Sequence, residues 1–172
     1  MGLLIWSPYP FKILELSTFD YLMSTSPETQ NENILLVDLD EEIVEAYGGY
    51  PLPRSLFASM IDRTEGVSGL TILMPDPDLR DSDNDYKLSA SMFDKPTVLA
   101  YTATTQSNKV GPHVGTAQLG ENPLPWLLNY PGILRQLSIL QLNAEGVGLI
   151  NSSPEIDGVV RRMPVVVGSG DK

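Results

Sequence analysis

The segment Pro75–Asp85 reads PDPDLRDSDND and places five aspartates, at 76, 78, 81, 83 and 85, within eleven residues. Carboxylates at alternate positions are the donors of a calcium loop, whose template is D-x-[DN]-x-[DN]-G with a Glu at position twelve. Counted from Asp81, acids fall at positions one, three and five, but position six is Tyr86 and position twelve is Met92. The residue for the sharp turn and the bidentate ligand are both missing. The stretch therefore reads as a solvated loop whose Asp83 or Asp85 caps a following helix, with a cation site as the minor reading.

Asp38 and Asp40 close the apolar run Ile34–Asp40, ILLVDLD. Ligands of open parallel sheets bind outside the carboxyl ends of the strands. The two acids are thus candidates for holding a cationic or hydroxylated ligand, or one divalent ion. Their competing role is to cap the turn EEIVEA or to pair with Arg54. Arg54 offers a fork for a carboxylate ligand, or else an internal salt bridge. Asn151 ends the run GVGLIN and is a candidate donor on the same rim. Asp38, Asp40, Arg54 and Asn151 are the predicted ligand contacts, with no metal ligand and no catalytic residue among them.

Other chemistry is thinly represented. The chain has no cysteine, so disulfides, thiolate metal sites and Cys nucleophiles are absent. His113 is the single histidine and lies in a Gly/Pro-rich stretch, with no G-x-S-x-G to partner it. There is no Walker-type G-K-[ST], and GVGLIN lacks the third glycine of a dinucleotide fingerprint; no cofactor is expected. The 22 acidic against 11 basic residues give a net charge of −11, which repels nucleic acid and anionic lipid.

The elements that would position these residues alternate in type. Ile34–Asp40 and Gly69–Met74 are near-continuous apolar runs of the kind buried in parallel sheets. Thr97–Thr104 is a third strand, rich in β-branched and aromatic residues. Gly146–Pro154 and Val159–Val167 are a fourth and fifth, joined by SPEIDG, in which Asp157-Gly158 is a hairpin signal. Pro164 suits an edge strand. A helix follows Pro53, with Leu56, Phe57, Met60 and Ile61 on one face; a second contains Leu88 and Met92. Thr105–Pro125 is a long loop. WLLNYPGILRQLSILQLNAEG is expected to hold two short helices split at Pro131–Gly132. Trp126, Leu127, Leu128 and Tyr130 form an apolar cluster, read as packing or as a dimer face.

This pattern predicts one α/β domain: a predominantly parallel sheet of about five strands, helices on both faces, and a C-terminal antiparallel hairpin. With 172 residues, 42% of them hydrophobic, the chain is long enough for one sizeable core. No run of 18 apolar residues occurs. The start MGLLIWSPYPF is apolar and reads either as the stub of a membrane helix or as an arm packing on the domain.

Three segments carry a family resemblance. ILLVDLDEE is similar to the opening strand of the second CHASE family, the cyclase/histidine-kinase-associated sensory extracellular domains. GGYPLPRSLFASMID resembles its G-W-P-W-P-R stretch, and SPEIDGVVRRMPVVV its late D-G-V-V-R-R-V-P hairpin. Asp85-Tyr86-Lys87-Leu88 matches the end of the family's E-P-x-x-D-x-x-L region. Thr71 stands where the family usually carries Asp, and Tyr50 and Leu52 where it prefers Trp. The resemblance covers roughly residues 34–167, leaving 1–33 as a membrane-proximal segment. It implies the periplasmic or extracellular sensory module of a membrane receptor. Such modules are joined through transmembrane helices to a histidine kinase, a nucleotide cyclase or a Ser/Thr kinase, and bind a small molecule. A homodimer is the expected assembly. A divalent-metal hydrolase using the strand-end aspartates and a purely structural dimerisation module are the alternatives.

Overall fold

The computed structural model describes residues 9–27, 31–108 and 119–169 of the chain. Its contacts group into two compact units, residues 1–39 with 153–161, and residues 40–152 with 162–172.

The first unit contains helix α1 (Tyr9–Thr25), in which Leu16 is the buried side chain. No helix among the described residues is long and apolar enough to cross a membrane. Arg161 ties α1 to the chain that returns at 153–161. Its guanidinium donates to both oxygens of Asp20, at 2.7 Å each, and to both of Asp157, at 2.8 and 2.6 Å. The expected turn is present: Gly158 sits at φ 84°, in the left-handed region that favours glycine, and its N–H donates to Glu155 O.

The hydrogen bonds from Arg161, only partly offset by desolvation, pull the Asp157 carboxyl down to about 2, and Asp20 is lowered by the same guanidinium. A depressed carboxyl stabilises the fold above the ordinary carboxylate range, and this is lost as pH falls through the folded value. Carboxyl-carbon NMR should therefore find the Asp157 midpoint near pH 2. Arg161→Gln should return that midpoint to about 4. An unchanged midpoint would dissolve the proposed tie.

The second unit is built on β2 (Thr97–Thr104), which forms over the span read from its residue types. Its first half pairs in parallel with β1 (Ser68–Leu70) on one side and with β5 (Gly146–Leu149) on the other. Its second half pairs antiparallel with β4 (Gly132–Leu134), in the register Thr102–Leu134 to Thr104–Gly132. Gly132 is obligatory there, because a Cβ would run into the carbonyl oxygen of Gln106. A separate two-stranded ribbon pairs β3 (Asn129–Tyr130) with β6 (Gly168–Ser169). The unit also contains α2 (Glu41–Ala46), α3 (Arg54–Arg63), α4 (Asp83–Asp94) and α5 (Ser138–Leu142), with α4 packed against both α3 and α5. Phe57 and Ile61 of α3, Leu88 and Met92 of α4, Leu99 and Ala100 of β2 and Leu140 of α5 are all buried.

The molecule is thus α/β, but its sheet is mixed rather than predominantly parallel. Three expected elements are absent. Ile34–Asp40 forms no strand: Leu35 and Leu36 are 86% and 90% exposed. Val159–Val167 also pairs with nothing as a ladder, and the antiparallel hairpin does not form; strand pairing begins only at Gly168. Pro164 has no N–H to give a ladder. The first of the two helices expected after Trp126 is replaced by β3 and β4, where Pro131 would have broken a helix. Trp126 itself is 89% exposed, outside the core. His113 lies outside the described residues.

Candidate functional site

The N-terminus of α3 and the aspartate segment are knitted into one structure. Pro53 precedes the helix in extended conformation, as helix entry requires, so the first N–H groups of α3 need partners from elsewhere. The backbone N–H of Arg54 donates to Asp78 Oδ2 at 3.0 Å. Its guanidinium donates to Asp85 Oδ1 and to the carbonyl of Asp76. Both side chains of the Arg54–Asp85 pair are buried, at 8% and 6% exposure.

Asp78 is the hub of the loop. Oδ1 accepts from Arg80 N at 2.9 Å, Oδ2 also accepts from Asn84 Nδ2 at 3.0 Å, and the Asp78 N–H donates to Asp85 Oδ2 at 3.2 Å. Partial burial pushes this carboxyl up. The N–H donors of Arg54 and Arg80, the Asn84 amide and the Arg54 charge outweigh it and leave the group below its usual range. Arg80 reaches the other way, donating to the carbonyls of Tyr47 and Gly49. That turn is possible because Gly48 and Gly49 take φ of 77° and 100°.

The expectation of a helix cap from Asp83 or Asp85 is corrected here. Ser82 occupies the N-cap position of α4 without a side-chain cap bond. Asp85 is instead the buried partner of Arg54, one turn ahead of buried Leu88 on the same helix face. Asp81 Oδ1 accepts from Asp83 N at 3.0 Å, an ordinary turn bond. Among the described residues no three His, Cys, Asp or Glu side chains are grouped to hold a metal ion.

Between the 50–54 segment, Phe57 and the 72–79 segment lies a pocket of about 330 Å³. Its wall is mostly apolar, with Leu52, Phe57, Ile72 and Met74 lining it, and Arg54, Asp76 and Asp78 are its charged residues. The volume is at the small end of the range for small-molecule sites. The pocket's floor is fixed, since Leu52, Phe57 and Met74 are all buried. Tyr50 and Leu79 at its edge are 71% and 87% exposed.

Of the four predicted contacts, Arg54 alone lines this pocket. Its buried guanidinium is already paired with Asp85 and the Asp76 carbonyl, and its backbone N–H with Asp78. Asp40 is the N-cap of α2, accepting from Ile43 N at 3.0 Å. Asp38 accepts from the neighbouring Leu39 N at 2.9 Å. Asn151 prolongs β5 along β2: its Oδ1 accepts from Ala103 N and its Nδ2 donates to Ala103 O at 2.9 Å. No two of them share a hydrogen-bond partner. The pocket itself was not evident from sequence. The nearest signal was that Pro53-Arg54 and the Asp85–Leu88 stretch both fall in segments carrying the family resemblance, and these two segments meet as the buried ion pair.

A family model, described as the CHASE2 domain, matches residues 1–170. No curated protein and no solved structure matches the chain.

Proposed function

The chain belongs to the CHASE2 family of sensory extracellular domains, and from that premise we propose that the whole of it serves as the extracytoplasmic, ligand-binding input module of a transmembrane receptor. The observation that carries the reading is the pocket beside α3, bounded on one side by a loop that a buried ion pair holds in place. A ligand there would touch residues 72–79 directly, and through Asp76 and Asp78 the groups bound to Arg54. Occupancy would favour one arrangement of that loop over another, which is all that a two-state receptor needs from its input. In the full-length protein the partners are flanking membrane helices and an intracellular histidine kinase or nucleotide cyclase, working as a dimer. Sensing rather than hydrolysis is favoured because the aspartates at 40, 78 and 85 serve the fold as cap, loop hub and ion-pair partner.

A fragment screen by saturation-transfer NMR tests the reading. Leu73 lines the pocket and is half-buried, so Leu73→Trp should fill the cavity. Fragments that bind the wild-type chain are expected to lose at least about ten-fold in affinity in the filled variant, at unchanged melting temperature. Fragments that bind both forms alike, or a screen with no binders, would remove the pocket as the input site.

A further inference from the structure

The geometry points to an organic ammonium ion, carried on an apolar or aromatic body, as the chemical class that the pocket accepts. This inference rests on reading the pocket as the input site, and it adds the sign and the shape of the ligand. Four observations converge on it.

The charged side chains that face the pocket or bind its wall are Asp76, Asp78 and Asp85 against Arg54 and Arg80. Three carboxylates against two guanidinium groups leave an excess of one negative charge. Neither guanidinium is presented to an anion in the pocket: Arg54 is buried and paired, and Arg80 is not among the lining residues. The guanidinium of Arg54 is buried against Asp85 and the Asp76 carbonyl, and that of Arg80 is turned onto the carbonyls of Tyr47 and Gly49. An anionic ligand would meet carboxylates and no donor fork, in a chain whose net charge is −11.

Among the carboxylates one is uncommitted. Asp78 is held by three donors and Asp85 by Arg54 and the Asp78 N–H. Asp76 contributes its backbone carbonyl to Arg54, while its exposed side chain makes no hydrogen bond or ion pair among the described residues. A carboxylate at the edge of an apolar cavity is the natural counter-ion of a ligand cation. A bare metal ion fits poorly, because it asks for several oxygen ligands and the pocket offers one free carboxylate on a mostly apolar wall. An ammonium group needs only the one carboxylate, while its carbon body fills the apolar part. The rings of Tyr50 and Phe57, both lining the pocket, add faces that attract a cation.

Three probes of matched shape separate the possibilities: phenethylammonium, 2-phenylethanol and 3-phenylpropanoate, titrated calorimetrically into the wild-type chain and into Asp76→Asn. Phenethylammonium is expected to bind at least about five-fold more tightly than the alcohol, the carboxylate more weakly than either. Asp76→Asn should erase the preference for the cation and leave alcohol binding and melting temperature unchanged. Alcohol and cation binding equally, or a preference for the carboxylate, would overturn the charge assignment while the pocket reading stands. A cation preference that survives Asp76→Asn would remove Asp76 as the counter-ion and with it this inference. Failure of all three probes would overturn this inference, and fragments insensitive to Leu73→Trp would overturn the pocket reading with it.

Discussion

Arg54→Met is expected to lower the free energy of unfolding by about 3–5 kcal/mol, read as a fall in the urea midpoint. The reason is the company left behind rather than the bond lost. Asp85 is 6% exposed at its side chain, and without Arg54 it becomes a buried charge with no cation beside it. The Asp76 carbonyl loses its donor as well. The double variant Arg54→Met/Asp85→Leu distinguishes this account from mere loss of packing. Replacing both members of a buried pair by apolar groups is often near neutral. Here the Asp78 N–H would still lose its acceptor, at about 1–3 kcal/mol. The double variant should therefore recover most, but not all, of the deficit. A single variant that loses under about 1 kcal/mol, or a double variant no better than the single, would show that the pair does not hold the loop. Because the same loop forms a wall of the pocket, fragments that bind the wild type are expected to weaken in Arg54→Met even under conditions where it is folded.

What the sequence disclosed follows the range of the interactions involved. β2 is legible to its ends, because five of its eight residues, Thr97, Val98, Tyr101, Thr102 and Thr104, are β-formers and it is bounded by Pro96 and by polar residues after Thr104. The Asp157-Gly158 turn was legible because one residue's backbone angle decides it. The sequence admits an internal salt bridge for Arg54 and offers Asp38 or Asp40 as its partner, whereas the structure pairs it with Asp85. With 22 acids in the chain, sequence does not rank a carboxylate 31 residues away against one much closer. The run Ile34–Asp40 shows the limit from the other side. Apolar composition reports that a segment would gain by burial, but not that it pairs as a strand, and Leu35 and Leu36 stay 86% and 90% exposed. The pocket was invisible for a related reason: its lining comes from 50–57 and 72–79, and only the closing of the loop around Asp78 makes these one surface.

Gln136 had no sequence signal at all, and its replacement is expected to be nearly as costly as that of Arg54. The sheet forks where β1 ends beside β2 and β4 takes over as its neighbour. At such a fork backbone groups on the diverging chains lose their ladder partners. The Gln136 side chain, 3% exposed, fills the gap. Its Nε2 donates to Ile72 O at 2.9 Å and to Ala100 O at 2.8 Å, and its Oε1 accepts from Met74 N at 2.6 Å. One amide thus stands in for a missing piece of strand, and it also fixes the segment that carries the pocket's inner wall. Gln136→Leu keeps the volume but strands three buried or half-buried backbone groups, each worth about 1–3 kcal/mol; the summed loss should reach about 3–5 kcal/mol. Gln136→Glu tests the direction of the bonds. It retains the acceptor for Met74 N but sets an anion against two carbonyl oxygens, so it should be at least as destabilising as Leu. Native-state hydrogen exchange adds a local readout: the Met74 amide should lose protection in Gln136→Leu beyond the global change and keep more of it in Gln136→Glu. Equal protection of that amide in both variants, or a loss below about 1 kcal/mol in Gln136→Leu, would mean that the fork is held together by the side chains packed around it and not by the amide within it.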